Sequence, residues 1–124
     1  MKNSYFETRF RYGPKKKAVW KVLCNYLQQF IPDKSRVIDA GAGYCYFINN
    51  ISAGEKYALD VNKEVLKNYA NEDVNLIVAS ASDTKLETYF FDVVFASNLL
   101  EHLSKDEILS SLKEFNRILK KGGC

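Results

Sequence analysis

The sequence predicts an α/β fold, a parallel sheet with helices on both faces. Three observations predict it. Short apolar runs of strand length alternate with amphipathic stretches at helical spacing, one run passes directly into Gly41-Ala42-Gly43, and the alternation then repeats along the chain. Units of this kind connect by right-handed crossovers, which puts ligands at the carboxyl ends of the strands. The 124 residues hold one domain, and 47% hydrophobic against 27% charged residues is a globular mixture, not a disordered one.

In chain order, Pro14 opens a helix whose Val19, Val22, Leu23, Tyr26, Leu27 and Phe30 form a stripe expected to be buried, with Trp20 packing beside it. Pro32 ends that helix. Arg36–Ala40 reads as a buried strand, followed by the glycine turn and a helical stretch facing inward through Phe47, Ile48 and Ile51. Lys56–Val61 is the second strand, and Asn62 caps a helix with inner face Val65, Leu66 and Tyr69. Val74–Val78 is the third strand. Phe90–Ala96 is the fourth, apolar on both faces apart from Asp92, as central parallel strands are. Ser104 and Glu107 form a capping box for a last helix that buries Ile108, Leu112, Phe115 and Leu119 and stops at Gly122-Gly123.

The net charge of +3 is unevenly placed: residues 1–17 carry six cations against Glu7, an excess of +5 that leaves the rest at −2. With Tyr5, Phe6, Phe10 and Tyr12 among them, these cations read as a solvated helix start or a lid, and nucleic acid is not expected as a partner. The chain divides into 1–34, a basic aromatic segment with a helix, and 35–124, the sheet core. No apolar run approaches the ~18–20 residues of a membrane span, and no apolar stretch follows the first charges as in a secretory signal. Cys24, Cys45 and Cys124 fit neither complete disulfide pairing nor a zinc spacing, so a reducing cytoplasm is the expected compartment.

The loop Asp39-Ala40-Gly41-Ala42-Gly43-Tyr44-Cys45-Tyr46 leaves the first strand, and Asp60 closes the second about 20 residues on, the distance at which an acid reaches ribose hydroxyls. Together they point to a nucleoside across the strand ends. A dinucleotide needs glycine at the third position of G-x-G-x-x-G, where Tyr46 stands, and Asp39 would repel a pyrophosphate but attract a cation. The loop therefore favours S-adenosylmethionine, which carries a sulfonium and an ammonium, over NAD.

Val37-Ile38-Asp39-Ala40-Gly41-Ala42-Gly43 resembles the first motif of class I S-adenosylmethionine-dependent methyltransferases. Phe91 to Leu103 looks like the fourth-strand motif of the type 11 branch, Glu114 to Gly123 like the end of its next helix, and Gly-Ala-Gly-Tyr-Cys like methyltransferases seen among bacterial surface-polysaccharide genes. The resemblance implies a Rossmann-like core with strands in the order 3-2-1-4, lacking the family's last three strands. The fourth strand is then a bare edge, a route to self-association.

By that resemblance Asp39 holds the methionine amino group, with Ala40, Gly41 and Gly43 along the methionyl side. Asp60 binds the ribose diol, Val61 lies on the adenine face, and Ser80, Ala81 and Ser82 border the adenine edge, with Ser80 where the family has an acid. Ser97 and Asn98 sit below the sulfonium, and Cys45 takes a third-glycine position. His102, the only histidine, is the candidate general base. Asn98 stands where a metal-binding signature has an acid, so no metal is expected. The implied activity is methyl transfer from S-adenosylmethionine to a small-molecule or sugar-like acceptor. The alternative is a non-catalytic Rossmann-like module that binds partners.

Overall fold

Strands β1 (Arg36–Ala40), β2 (Glu55–Asp60), β3 (Val74–Val78) and β4 (Val93–Phe95) form one parallel sheet in the order β3-β2-β1-β4, as expected. The computed structural model describes residues 13–124. The N-terminal residues 1–12, and with them most of the basic aromatic segment and its reading as a lid, lie outside that range. Side chains alternate across the sheet. Val37, Ala58 and Val93 face one core with α1 (Pro14–Leu27), α2 (Tyr46–Asn49) and α3 (Lys63–Tyr69). Ile38, Ala40 and Leu59 face a second core with α4 (Lys105–Ile118). Register puts Asp39 between Ala58 and Phe95, and Ala40 opposite Leu59.

Local chemistry sets the boundaries. The Asn62 side chain accepts from the Val65 N–H at 3.1 Å, and the Ser104–Glu107 capping box is formed. Lys56, nearly buried, donates to the Ile51 carbonyl at 3.0 Å and pairs with Asp73 at 3.2 Å, which satisfies its charge.

Three expectations about faces and edges are corrected. Helix α1 does not bury its long apolar stripe: Val19, Val22, Leu23 and Tyr26 on it, and Phe30 in the 3-10 turn after it, are exposed, while Cys24 is buried and Trp20 and Leu27 are partly so. The helix carries two apolar faces, and the core takes the one whose indole stacks on Tyr46 and meets the edge of Phe95. Helix α4 turns inward along Ser111, Phe115 and Ile118; Leu112 is 47% exposed, and Leu119 lies beyond the helix end. A buried serine interrupts the apolar stripe, so counting apolar residues alone rotates the helix by one position.

The fourth strand is three residues long, and its outer side is not bare. The N–H groups of Lys120 and Cys124 donate to the Phe91 and Asp92 carbonyls at 2.9 and 3.0 Å, and the Val94 N–H donates to the Cys124 carbonyl at 2.8 Å. The chain turns back through Gly122, at φ +83°, to make this pairing, so the expected route to self-association is partly occupied. Asp92 clamps the opposite side, accepting from the Arg36 N–H at 2.8 Å and pairing with Lys120 at 3.4 Å. Those partners, the Arg36 N–H foremost, hold its carboxyl below the usual range.

Candidate functional site

The winding of the sheet reverses between β1 and β4, the place where a parallel sheet opens a ligand crevice. A cleft of about 580 Å³ lies there. One wall is the end of β2 with Asp60 and Val61, and the segment Ala79–Ser82 after β3. The rest of the lining is Leu99, His102 and Leu103 after β4, Glu107 and Ser111 on α4, and Gly41 of the glycine loop. This volume suits a ligand of nucleoside size.

The glycine loop is bonded to the end of β2. The N–H groups of Gly41 and Ala42 both donate to the Leu59 carbonyl, at 2.8 and 2.9 Å, and the Gly43 N–H donates to Asp60 Oδ2 at 2.9 Å. The Cys45 N–H donates to the Ala42 carbonyl at 2.8 Å. A phosphate cradle needs such groups unspent. These four are spent inside the protein, which agrees with the reading against a pyrophosphate. Gly41, Gly43 and Cys45 all have positive φ, at +73°, +52° and +62°. At Gly41 the need for glycine is also steric, because a Cβ there would stand 3.0 Å from Leu99 Cδ1.

The two strand-end acids differ. Asp60 is half-buried at the cleft and also accepts from the Asn62 N–H at 2.9 Å. Asp39 is buried behind the loop, and burial pushes its carboxyl up to about 8, against an opposing Ile48 N–H and with a further push from the Asp60 charge. Seven candidates line the cleft: Gly41, Asp60, Val61, Ser80, Ala81, Ser82 and His102. Asp39 and Ala40 are buried beside it, Gly43 reaches it only through Asp60, and Ser97 and Asn98 lie on the exposed bend after β4. His102 sits on a single turn of 3-10 helix, Leu100–His102, half-exposed, with Nε2 4.0 Å from Glu101 Oε2.

Two residues of this region escaped the sequence. Ser111 lines the cleft from α4. Glu114 ties the Ser80–Thr84 loop to α4, accepting from the Thr84 N–H at 2.8 Å and from Arg117 through Nε and Nη2 at 2.8 and 2.9 Å. Arg117 foremost holds the Glu114 carboxyl down at about 2. The pairing of Glu114 with Arg117 at i, i+3 was legible; its reach back to Thr84, across 30 residues, was not.

The family model described as a methyltransferase domain matches residues 38–124. No curated protein matches the chain. Among solved structures, a TehB-like SAM-dependent methyltransferase from Corynebacterium glutamicum superposes with a TM-score of 0.70 at 21% identity, over 81% of this chain and 57% of its own. The PH0226 protein of Pyrococcus horikoshii gives 0.78 at 19%, over 97% and 62%. A SAM-dependent methyltransferase from Archaeoglobus fulgidus gives 0.65 at 22%, over 95% and 53%. At these identities the superpositions establish the fold, and the chain spans little more than half the length of these proteins. The family match reaches over well more than half of the chain, from inside β1 through α4, and the chain belongs to the methyltransferase domain family, whose cofactor is S-adenosylmethionine.

Proposed function

We propose that this chain is the cofactor-binding part of a methyltransferase acting on a small-molecule or sugar-like acceptor. The observation that carries the reading is Asp60. It stands in the cleft with one N–H on each carboxylate oxygen, and a carboxylate has about four acceptor sites, so capacity for a ribose diol remains. The residues fit the cofactor in a further respect: the spent loop N–H groups suit a ligand without phosphate.

When bound, S-adenosylmethionine supplies a methyl group activated on a sulfonium. Asp39 is assigned to the ammonium, with Ala40, Gly41 and Gly43 along the methionyl chain. Val61 covers the adenine face, and Ser80, Ala81 and Ser82 border its edge. Ser97 and Asn98 edge the sulfonium side. His102 is assigned to take the acceptor's proton. Methyl transfer is an in-line displacement, so the protein's work is alignment and exclusion of water, which explains a rich binding site beside a single candidate base.

Calorimetric titration of the purified chain with S-adenosylmethionine and S-adenosylhomocysteine tests this. Saturable binding that falls at least a hundredfold in Asp60→Ala is the expected result; equal binding by the variant would move the site elsewhere. A second reading, a non-catalytic partner-binding module, is favoured by the exposed Val19, Val22, Leu23 and Tyr26 of α1 and Phe30 just after it. A folded chain that binds neither ligand would put that reading first.

A further inference from the structure

The polar groups facing the cleft are accounted for one by one. Asp60 holds two backbone N–H groups. The Ser80 and Ser82 hydroxyls bond each other at 2.8 Å. Glu107 turns back to the Ser104 N–H at 2.9 Å as part of the capping box, and His102 lies against Glu101. Ser111 remains. Its residue is fully buried, and among the described residues its Oγ is the buried side-chain polar atom without a hydrogen-bond partner.

A serine in mid-helix points to solvent or turns its hydroxyl onto the carbonyl four residues back; Ser111 does neither. Glu107, one turn before it on α4, is engaged with Ser104, and the remaining lining, Leu59, Ala79, Leu99 and Leu103, has no polar side chain to offer. A buried hydroxyl left unpaired destabilises a fold and is rare in native proteins. Ser111 lines, from α4, the same cleft as Val61 and Ser80–Ser82. The Glu114 bridge from Thr84 ties α4 to the loop that carries Ser80–Ser82.

We propose that Ser111 is a base-reading residue of the cofactor site, its hydroxyl completing a hydrogen bond with the edge of the purine. This rests on the nucleoside reading of the cleft. A hydroxyl both donates and accepts, so it matches either a ring nitrogen or the exocyclic amine. The free protein carries the unpaired group, and the ligand satisfies it.

The test is Ser111→Ala, which removes the hydroxyl and little volume. S-adenosylhomocysteine and adenosine are titrated into wild type and variant by calorimetry, and thermal unfolding is followed without ligand. Both ligands are expected to bind the variant about tenfold more weakly, or about 1.4 kcal/mol, while its ligand-free melting temperature stays level or rises. Unchanged affinity for a ligand that wild type binds would overturn the proposal alone, as would a loss with S-adenosylhomocysteine that adenosine does not share. A fall in the ligand-free melting temperature would overturn it too, since the hydroxyl would then be holding the fold. Failure of folded wild type to bind either ligand would overturn the nucleoside reading and this proposal with it.

Discussion

Asp39 and Asp60 stand toward the carboxyl ends of adjacent strands, Asp60 as the last residue of β2 and Asp39 one residue before the end of β1. Their environments separate them. Asp60 opens on the cleft and organises backbone, one oxygen on Gly43 and the other on Asn62. Asp39 is sealed behind the glycine loop, between strands whose neighbouring residues are Ala58 and Phe95. One carboxylate spends its oxygens on the backbone it holds; the other is a charge the fold discourages. A strand-end acid is therefore a position, and its chemistry depends on what covers it.

The amide swap should break this symmetry most strongly. In Asp60→Asn one oxygen becomes an NH2 that faces a backbone N–H, donor against donor, and the loop loses an anchor. We expect a loss of about 2–3 kcal/mol in urea unfolding. Asp39→Asn replaces a carboxyl already pushed up to about 8, and at pH 6 the unfolded wild type gains by releasing that proton, so there the substitution should be neutral or stabilising. Equal losses from the two would show that burial does not distinguish the acids.

A third carboxylate calibrates the scale. Glu114 is held down at about 2 by Arg117 and Thr84, so its contribution is present above the usual carboxylate range and is lost as pH falls toward 2. Glu114→Gln is expected to cost about 2 kcal/mol at pH 7 and to flatten the acid limb of the stability curve. An acid limb unchanged by the substitution would remove Glu114 as the tie between the Ser80–Thr84 loop and α4.

Asp39 gives the opposite sign. Its folded value of about 8 lies above the ordinary 3.8, so the native state keeps a proton that the unfolded chain releases. That stabilisation is complete below about pH 4 and is lost as pH rises through about 8. The urea midpoint of wild type should therefore fall from pH 6 to pH 9 relative to Asp39→Asn, and a constant difference between the two would contradict it. If Asp39 meets the ligand's ammonium, binding at pH 7 drives the proton off. Calorimetry in buffers of different ionisation enthalpy should then show proton release in wild type and none in the variant.

How far the sequence reached follows the same line between position and environment. Arg36–Ala40 and Val74–Val78 are strands at their expected bounds, because a short apolar run between turns has one way to enter a parallel sheet. The caps at Asn62 and Ser104 were legible because capping is local. Faces were less so. Helix α1 offered two apolar stripes, and the choice between them was made by Tyr46 and Phe95, which are distant in sequence. Helix α4 was misread by one position because Ser111 sits where an apolar residue was expected. The fourth strand was read too long because its apolar run continues past the residues that pair with β1, Val93–Phe95. In the site, the residues of the cleft floor were legible from strand ends, whereas the difference between Asp39 and Asp60, and the wall contributed by α4, are properties of packing.

Cys45 provides the smallest and finest test of the loop between the two acids. It takes a left-handed φ of +62°, where a side chain costs ~1–2 kcal/mol, yet its side chain is fully buried. Burial first, then the charges of Asp39 and Asp60, push its thiol up to about 12, so it packs as a neutral group. Cys45→Ala loses the sulfur and keeps the backbone strain, and should cost about 1 kcal/mol. Cys45→Gly loses slightly more packing and adds freedom to the unfolded chain, but releases the strain, so its stability should fall within about 0.5 kcal/mol of wild type. Glycine at least as stable as alanine reverses the order found at ordinary buried sites. Urea unfolding of the two variants side by side reads it, and alanine clearly above glycine would mean that the loop does not depend on the left-handed turn.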